Sequence, residues 1–341
     1  MNKAGIITKV SPRYAVSGGE IALQCDGFTV DGGGSHACYI GGEPCTLVAA
    51  SRRRVLAIVP EDVEGDTVVN LESEGEGSPA AEITVGRLLA DDMHIVANPA
   101  VDPKDDSIIL TRSGSRGQQL PNTLYRLEPD GYLDEFPVEI MNPTGIAFDH
   151  DGDLYATNRA DGEVCRIERG EQAVPYATGL GTATGIAFNE EGVMFVGDRA
   201  GTIHRIDGPG RSVPFATLEP SVAAFHLAFG PDGRLYVSSP GLASHDSVWA
   251  IDRGGSVRSY FRGFGRPQGL AFDRDGNLYI AACYQGHHGI VRVSKGGKSA
   301  ENFVAVNNAV GLCFTRRGEM IIATTDAAYS LPVDIYGTLL N

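Results

Sequence analysis

The chain has little that would carry it into a membrane or onto nucleic acid. No apolar run approaches the ~18 residues of a membrane-spanning helix, so the sequence predicts no membrane integration. Basic residues are scarce, 28 Lys and Arg against 43 Asp and Glu, and the resulting formal charge of -15 repels phosphate backbones and anionic headgroups. Nucleic acid is therefore not an expected partner. The one basic run, Arg52-Arg53-Arg54, reads as a solvated loop. Paired CxxC motifs are missing as well. Cys25, Cys38, Cys45, Cys165, Cys283 and Cys313 are scattered, as small buried hydrophobes in a reducing compartment would be. Cys38 and Cys45 could face each other across a hairpin, but no bridge is expected there. The opening Met1-Asn-Lys-Ala-Gly-Ile-Ile-Thr lacks the apolar core of a secretory signal, and the expected location is the cytoplasm.

Familiar catalytic signatures are absent too. The chain has no Gly-x-Ser-x-Gly elbow, no Walker loop, no GxGxxG between strand and helix and no HExxH. What it has is a ladder of glycines. Gly152, Gly192, Gly233, Gly276 and Gly318 are spaced 40, 41, 43 and 42 residues apart, each inside one repeated phrase. The phrase reads Thr-Gly-Ile-Ala-Phe-Asp-His-Asp-Gly-Asp-Leu-Tyr from Thr144 and Gln-Gly-Leu-Ala-Phe-Asp-Arg-Asp-Gly-Asn-Leu-Tyr from Gln268. A short apolar strand, an Asp-Gly type turn and a second apolar strand, recurring about every forty residues, predict propeller blades. A degenerate copy upstream, through Asn98, Ser107-Ile-Ile-Leu-Thr and Thr123-Leu-Tyr-Arg-Leu, brings the expected number of blades to six.

The 341 residues leave room for roughly two domains at about 150 residues each. Residues 4 to 86 carry seven short β-rich runs between Gly and Pro turns, a pattern that suggests a β-sandwich. The phrasing Val10-Ser-Pro-Arg-Tyr-Ala-Val-Ser-Gly-Gly, then Cys25-Asp-Gly-Phe, then Ile40-Gly-Gly-Glu-Pro-Cys, resembles the IPT/TIG family of immunoglobulin-like domains. That resemblance implies a fold and no chemistry. The later repeats, with xGLAF, DGxLY and a third strand ending Arg-Ile or Arg-Val, resemble the NHL and SMP-30/gluconolactonase-like superfamily of six-bladed propellers. With Trp249 as the only tryptophan, WD40 blades are ruled out. The expected fold is thus all-β: an N-terminal immunoglobulin-like β-sandwich over residues 1–87 and a six-bladed β-propeller over 88–341.

Function on such a scaffold is expected where the repeat breaks, on the face that carries the loops before each innermost strand and between second and third strands. The opposite hairpins, repetitive Asp-Gly or Glu-Gly turns, four of the five in the ladder, read as scaffolding. Alignment puts Asn98, Arg112, Arg116, Asn158, Arg159, Arg199, Gln268 and Tyr284 on the varied face as candidate ligand-binding residues. His226, His245 and His287, with Asp198, are candidate ligands for a divalent ion, Zn²⁺ or Ca²⁺, and Asp198 and His226 are the candidate catalytic groups. The loop Ser113-Gly-Ser-Arg-Gly-Gln-Gln could receive an anion on its amides and arginines.

The lactonases of the resembled superfamily hold a divalent cation with a Glu and with Asn and Asp at the positions before the strand glycine. Here those positions are Thr144, Thr184 and Gln268, neutral oxygens too weak to hold a hard cation alone. Two functions stay open. One is a binding module that takes a protein partner or a small ligand on the channel-mouth face. The other is a metal-assisted hydrolase or lyase acting on a small, carbohydrate-derived lactone or ester.

Overall fold

The computed structural model describes residues 3–30, 34–114, 118, 120–168, 172–241 and 245–338. Every regular element among them is a strand; there is no helix. The N-terminal part forms two sheets facing each other. One runs in the order Ile6–Ser11, Glu20–Asp26, Arg54–Ile58, Thr46–Ala50. The other contains Tyr14–Ala15, Ala81–Val85, Gly65–Ser73, His36–Ile40 and two short edge pieces. Alternation explains the packing: in Glu20–Asp26 the side chains of Ile21, Leu23 and Cys25 turn inward while the residues between them face out. They meet Val69, Leu71 and Ile83 of the other sheet in one dry core. All six cysteines are free thiols. The Cys38 and Cys45 thiols influence each other, the interaction holding the Cys45 thiol below its ordinary value and, with burial, raising that of Cys38.

Beyond Gly86 the strands group into six four-stranded antiparallel meanders, here called the first to sixth sheets in the order of their innermost strands. Those innermost strands are Ala100–Val101, Pro143–Phe148, Ala183–Phe188, His226–Phe229, Leu270–Phe272 and Ala309–Phe314. Consecutive innermost strands touch, and the sixth touches the first. Second strands such as Met194–Asp198 are buried along their whole length because neighbouring sheets cover both faces. Outermost strands such as Gln172–Ala177 are buried only in part and face solvent.

The repeated hairpins close as their sequence predicts. Asp149 Oδ1 accepts the amides of Asp151 at 3.0 Å and Asp153 at 2.9 Å, and Gly152 turns the chain at a φ of 74°. The sixth sheet holds a feature that the repeat did not announce. Its outermost strand is Arg87–Ala90, from the stretch read as a domain boundary, paired with Ala328–Pro332 from the far end of the chain.

The two parts share hydrogen bonds as well as surface. Tyr14–Ala15 pairs in parallel with Thr84–Val85 on one side and with Val304–Ala305 of the fifth sheet on the other, so one ladder runs through both. A β-carbon at Gly19 would collide with the Ala305 carbonyl, which explains why only glycine serves at this close approach.

Aromatic wedges fill four of the six boundaries between sheets. Tyr155, Phe195, Tyr236 and Tyr279, at one register of the second strands, each touch an aromatic of their own outermost strand and the phenylalanine that ends the next innermost strand. Ring centroids lie 4.6 to 5.3 Å apart, each pair contributing about 0.5–1.5 kcal/mol beyond simple burial.

Candidate functional site

The innermost strands begin at equivalent positions held by Asn98, Gly145, Gly185, His226, Gly269 and Gly311. Four of the six are glycine because the strands approach too closely for a side chain. A β-carbon on Gly145 would strike the Thr184 carbonyl, and one on Gly185 would lie 2.5 Å from the Phe225 carbonyl. Asn98 and His226 are the exceptions, three sheets apart and so on opposite sides of a ring of six.

Asn98 fills the room that two glycines leave. Its Nδ2 donates to the Leu270 carbonyl and its Oδ1 accepts the Leu312 amide, both at 3.2 Å. A β-carbon on Gly269 would collide with that same Oδ1. The amide therefore ties the first sheet to the fifth and sixth, with both of its polar ends engaged.

The hydroxyls before the ring are engaged in the same way. Thr184 Oγ1 donates to the Gly197 carbonyl at 2.9 Å and accepts the Phe225 amide at 3.2 Å. Thr144 Oγ1 donates to the Ala183 carbonyl at 3.2 Å. Gln268 donates from Nε2 to the Ala309 carbonyl at 3.2 Å, and its own carbonyl accepts the Ser238 hydroxyl at 2.6 Å. These oxygens and nitrogens stitch neighbouring sheets together.

His226 differs. Its side chain is 96% buried (4% exposed), and neither ring nitrogen meets a hydrogen-bond partner among the described residues. Burial alone pushes the imidazole down to about 4, so it is neutral at pH 7. A neutral imidazole offers one donor and one acceptor.

Around the mouth, Asp198 and Asn158 hold equivalent places at the ends of second strands and close the loops that follow. Asp198 Oδ1 accepts the amides of Thr182 at 2.8 Å and Ala200 at 3.1 Å. Asn158 Oδ1 accepts the Ala160 amide at 3.1 Å, and its Nδ2 donates to Asp161 at 2.7 Å. The next residues in each loop, Arg159 and Arg199, are exposed, with guanidinium groups that have no partner among the described residues. Arg112 is held by the Tyr125 hydroxyl at 3.1 Å and by Asp92 at 3.8 Å. Tyr284 packs against Phe261 and Phe264. Arg116 lies outside the described residues.

The histidines grouped from the sequence do not assemble. His245 is exposed at a loop edge. His287 sits at the joint between the two parts of the molecule, its Nδ1 3.3 Å from Glu20 and its Nε2 3.3 Å from Arg54. Arginine can only donate, so Nε2 is the acceptor and Nδ1 carries the proton toward Glu20. Among the described residues no group of three or more His, Cys, Asp or Glu is placed to hold a metal ion.

Two features escaped the sequence reading. Arg266, exposed beside Gln268, adopts a left-handed φ of 48°, at a position where the second and sixth sheets use Asn142 and Asn308. On the hairpin side, taken for scaffold, cavities of about 240 Å³ and 550 Å³ open between the third and fourth sheets and between the first and second. Their sequence signal was the residue at the aromatic wedge register.

No family model and no curated protein matches the chain. Solved structures do. A gluconolactonase from Xanthomonas campestris is 17% identical with a TM-score of 0.55, over 72% of this chain and 88% of that one. A catalytically inactive histidine-to-alanine variant of virginiamycin B lyase from Staphylococcus aureus, solved with quinupristin, is 13% identical with a TM-score of 0.54, over 92% and 99%. An auxiliary nutrient binding protein from Bacteroides thetaiotaomicron is 15% identical with a TM-score of 0.56, over 96% and 98%. At these identities the likeness is one of fold: the chain is an all-β, multi-sheet protein similar to the propellers of the gluconolactonase and virginiamycin B lyase kind.

Proposed function

We propose that residues 1–87 are an IPT/TIG immunoglobulin-like sandwich and 88–341 a six-bladed propeller, and that the propeller is a binding module for a small polar ligand in the cytoplasm. Two facing sheets around one core support the first assignment, and six meanders with touching innermost strands support the second. The observation that carries the function is His226, the ring side chain left without a described partner while Asn98, Thr144, Thr184 and Gln268 are engaged. A buried neutral imidazole offers one directed hydrogen bond at no charge-desolvation penalty. The unpaired guanidinium groups of Arg159 and Arg199 at the rim suit a ligand with a carboxylate. The whole-length likeness to a nutrient binding protein agrees with this reading.

The divalent cation of the lactonase superfamily does not fit the residues present, because no carboxylate or imidazole cluster able to hold it stands among the described residues. A second reading, hydrolysis or lyase chemistry on a lactone or ester, is supported by His226 being neutral at pH 7, the form that can accept a proton. The lyase neighbour that loses activity with one histidine keeps that reading in view.

One experiment addresses both. The purified protein is titrated calorimetrically with gluconate and a panel of small hydroxy acids, and lactone turnover is followed in parallel. At least one acid is expected to bind the wild type, to lose about tenfold or more with His226→Ala, and to weaken with Arg159→Ala/Arg199→Ala. Unchanged affinity in His226→Ala would refute the site, and lactone turnover that disappears in the same variant would favour the enzyme.

A further inference from the structure

Four of the six boundaries between sheets follow one construction; the boundary of the sixth and first sheets is instead filled by Ile321 packed with Val101 and Leu89, and the remaining one keeps the flanking rings without the central one. From the second sheet to the sixth, an aromatic of the second strand stands between two flanking rings. Tyr155 lies between Tyr176 and Phe188, Phe195 between Phe215 and Phe229, Tyr236 between Tyr260 and Phe272, and Tyr279 between Phe303 and Phe314. Where the wedge is a tyrosine, its hydroxyl can reach a carboxylate of its own hairpin. Tyr279 donates to Asp273 at 3.2 Å and Tyr236 to Asp232 at 2.9 Å.

At the boundary of the first and second sheets both flanking rings are present, Phe136 and Phe148, but the wedge is Ile109. Strand register makes the equivalence firm: Ile109 pairs with Arg126 as Tyr155 pairs with Arg166 and Tyr279 with Arg292. The acceptor has stayed. Asp102 occupies the hairpin position of Asp273, its amide donating across the turn to Ser107 as that of Asp273 does to Asn277. It is 6% exposed. Its Oδ1 accepts the Lys104 amide at 2.8 Å and its Oδ2 accepts Arg126 at 3.2 Å. A carboxylate has about four lone-pair directions, so further hydrogen bonds can be accepted there.

Two of these boundaries open into cavities on the hairpin side. Where the wedge keeps its ring but has no hydroxyl, at Phe195, the cavity is about 240 Å³. Where the ring is gone, at Ile109, it is about 550 Å³, floored by Ile109, Phe136, Phe148 and Leu154 and rimmed by Asp102 and Arg126. That volume lies within the usual range of small-molecule sites, about 300–1,000 Å³.

We propose that this cleft binds a small phenolic compound, its ring lying between Phe136 and Phe148 where the sister boundaries hold a tyrosine, and its hydroxyl donating to Asp102. The cleft lies on the hairpin side, away from His226, and stands whether or not the His226 site binds anything.

The test uses 4-methylphenol, the side chain of tyrosine as a free molecule, with toluene as the same shape lacking the hydroxyl. Titration of the full chain by protein-observed NMR is expected to give a dissociation constant on the order of 1 mM for 4-methylphenol, and toluene binding at least about fivefold weaker. Ile109→Tyr supplies the missing wedge from within and should abolish 4-methylphenol binding while leaving the melting temperature equal or higher. Should that variant not fold, Asp102→Asn, which keeps the turn's amide acceptor, is expected to reduce the preference for 4-methylphenol over toluene to below about twofold. His226→Ala should bind 4-methylphenol like the wild type. The proposal is overturned if the wild type shows no saturable 4-methylphenol binding, if Ile109→Tyr binds it undiminished, or if toluene binds as well as 4-methylphenol.

Discussion

A buried histidine whose surroundings disfavour the charged form makes stability depend on pH, and at His226 the direction follows from which state takes up the proton. The ordinary value is 6.5 and the folded one about 4. As pH falls below 6.5 the unfolded chain protonates this residue while the folded chain does not. Folding therefore loses stability across that window and levels off near pH 4. The shift corresponds to about 3 kcal/mol. Urea unfolding of the wild type and of His226→Gln, at pH 7 and at pH 4, should show the wild type losing about that much more than the variant. Parallel losses would mean that His226 is solvated. A second residue-scale prediction concerns Asn98. Gly269→Ala should destabilise by about 1–3 kcal/mol through collision with Asn98 Oδ1 and with the Val310 and Gly311 backbone, and the same substitution in an Asn98→Ala background, which relieves only the first of these, should cost at least ~1 kcal/mol less in a double-mutant cycle. His226 could be read from the chain as a break in the glycine register. The engagement of Asn98, Thr144 and Gln268 could not, because each finds its partner on a neighbouring sheet some 40 or more residues away, or across the ring.

At the scale of strands the repeat was transparent because each hairpin is local. Four or five residues carry the turn, and the apolar runs on either side must be buried together. Arg87–Ala90 escaped notice because nothing in four residues records a pairing with Ala328–Pro332, more than 230 residues on. The aromatic wedge was half legible: Phe148, Phe188, Phe229, Phe272 and Phe314 share a register in the sequence, but their contacts cross from one sheet to the next. That contact can be measured. Tyr279 is nearly fully buried, and its hydroxyl donates to Asp273, itself 5% exposed. Tyr279→Phe keeps the ring pairs with Phe303 and Phe314 and removes only the hydrogen bond, so it should cost about 1–2 kcal/mol in chemical denaturation. Tyr279→Ala also empties the boundary and should cost about 3–5 kcal/mol. Equal losses would show that the ring contributes nothing beyond the hydroxyl.

Over the whole molecule the question is whether the sandwich and the six sheets fold as one. The composition allowed two domains and the sequence offered no long linker, but it gave no sign that one ladder would cross between them. Tyr14–Ala15 pairs on both sides, Ala305 belongs to the N-terminal core, and Val16 belongs to a core of the later sheets. Asn307 donates to the Gly18 carbonyl at 2.7 Å, and His287 bridges Glu20 and Arg54. A joint of this kind couples the stabilities of its two sides, so calorimetry of the wild type should show a single transition. Gly19→Ala puts a methyl group against the Ala305 carbonyl and should force the ladder apart there, costing about 1–3 kcal/mol and splitting the transition in two. His287→Ala removes only the polar bridge and should lower stability by about 1 kcal/mol while leaving one transition. Two transitions in the wild type would mean that the shared ladder joins the parts without coupling them.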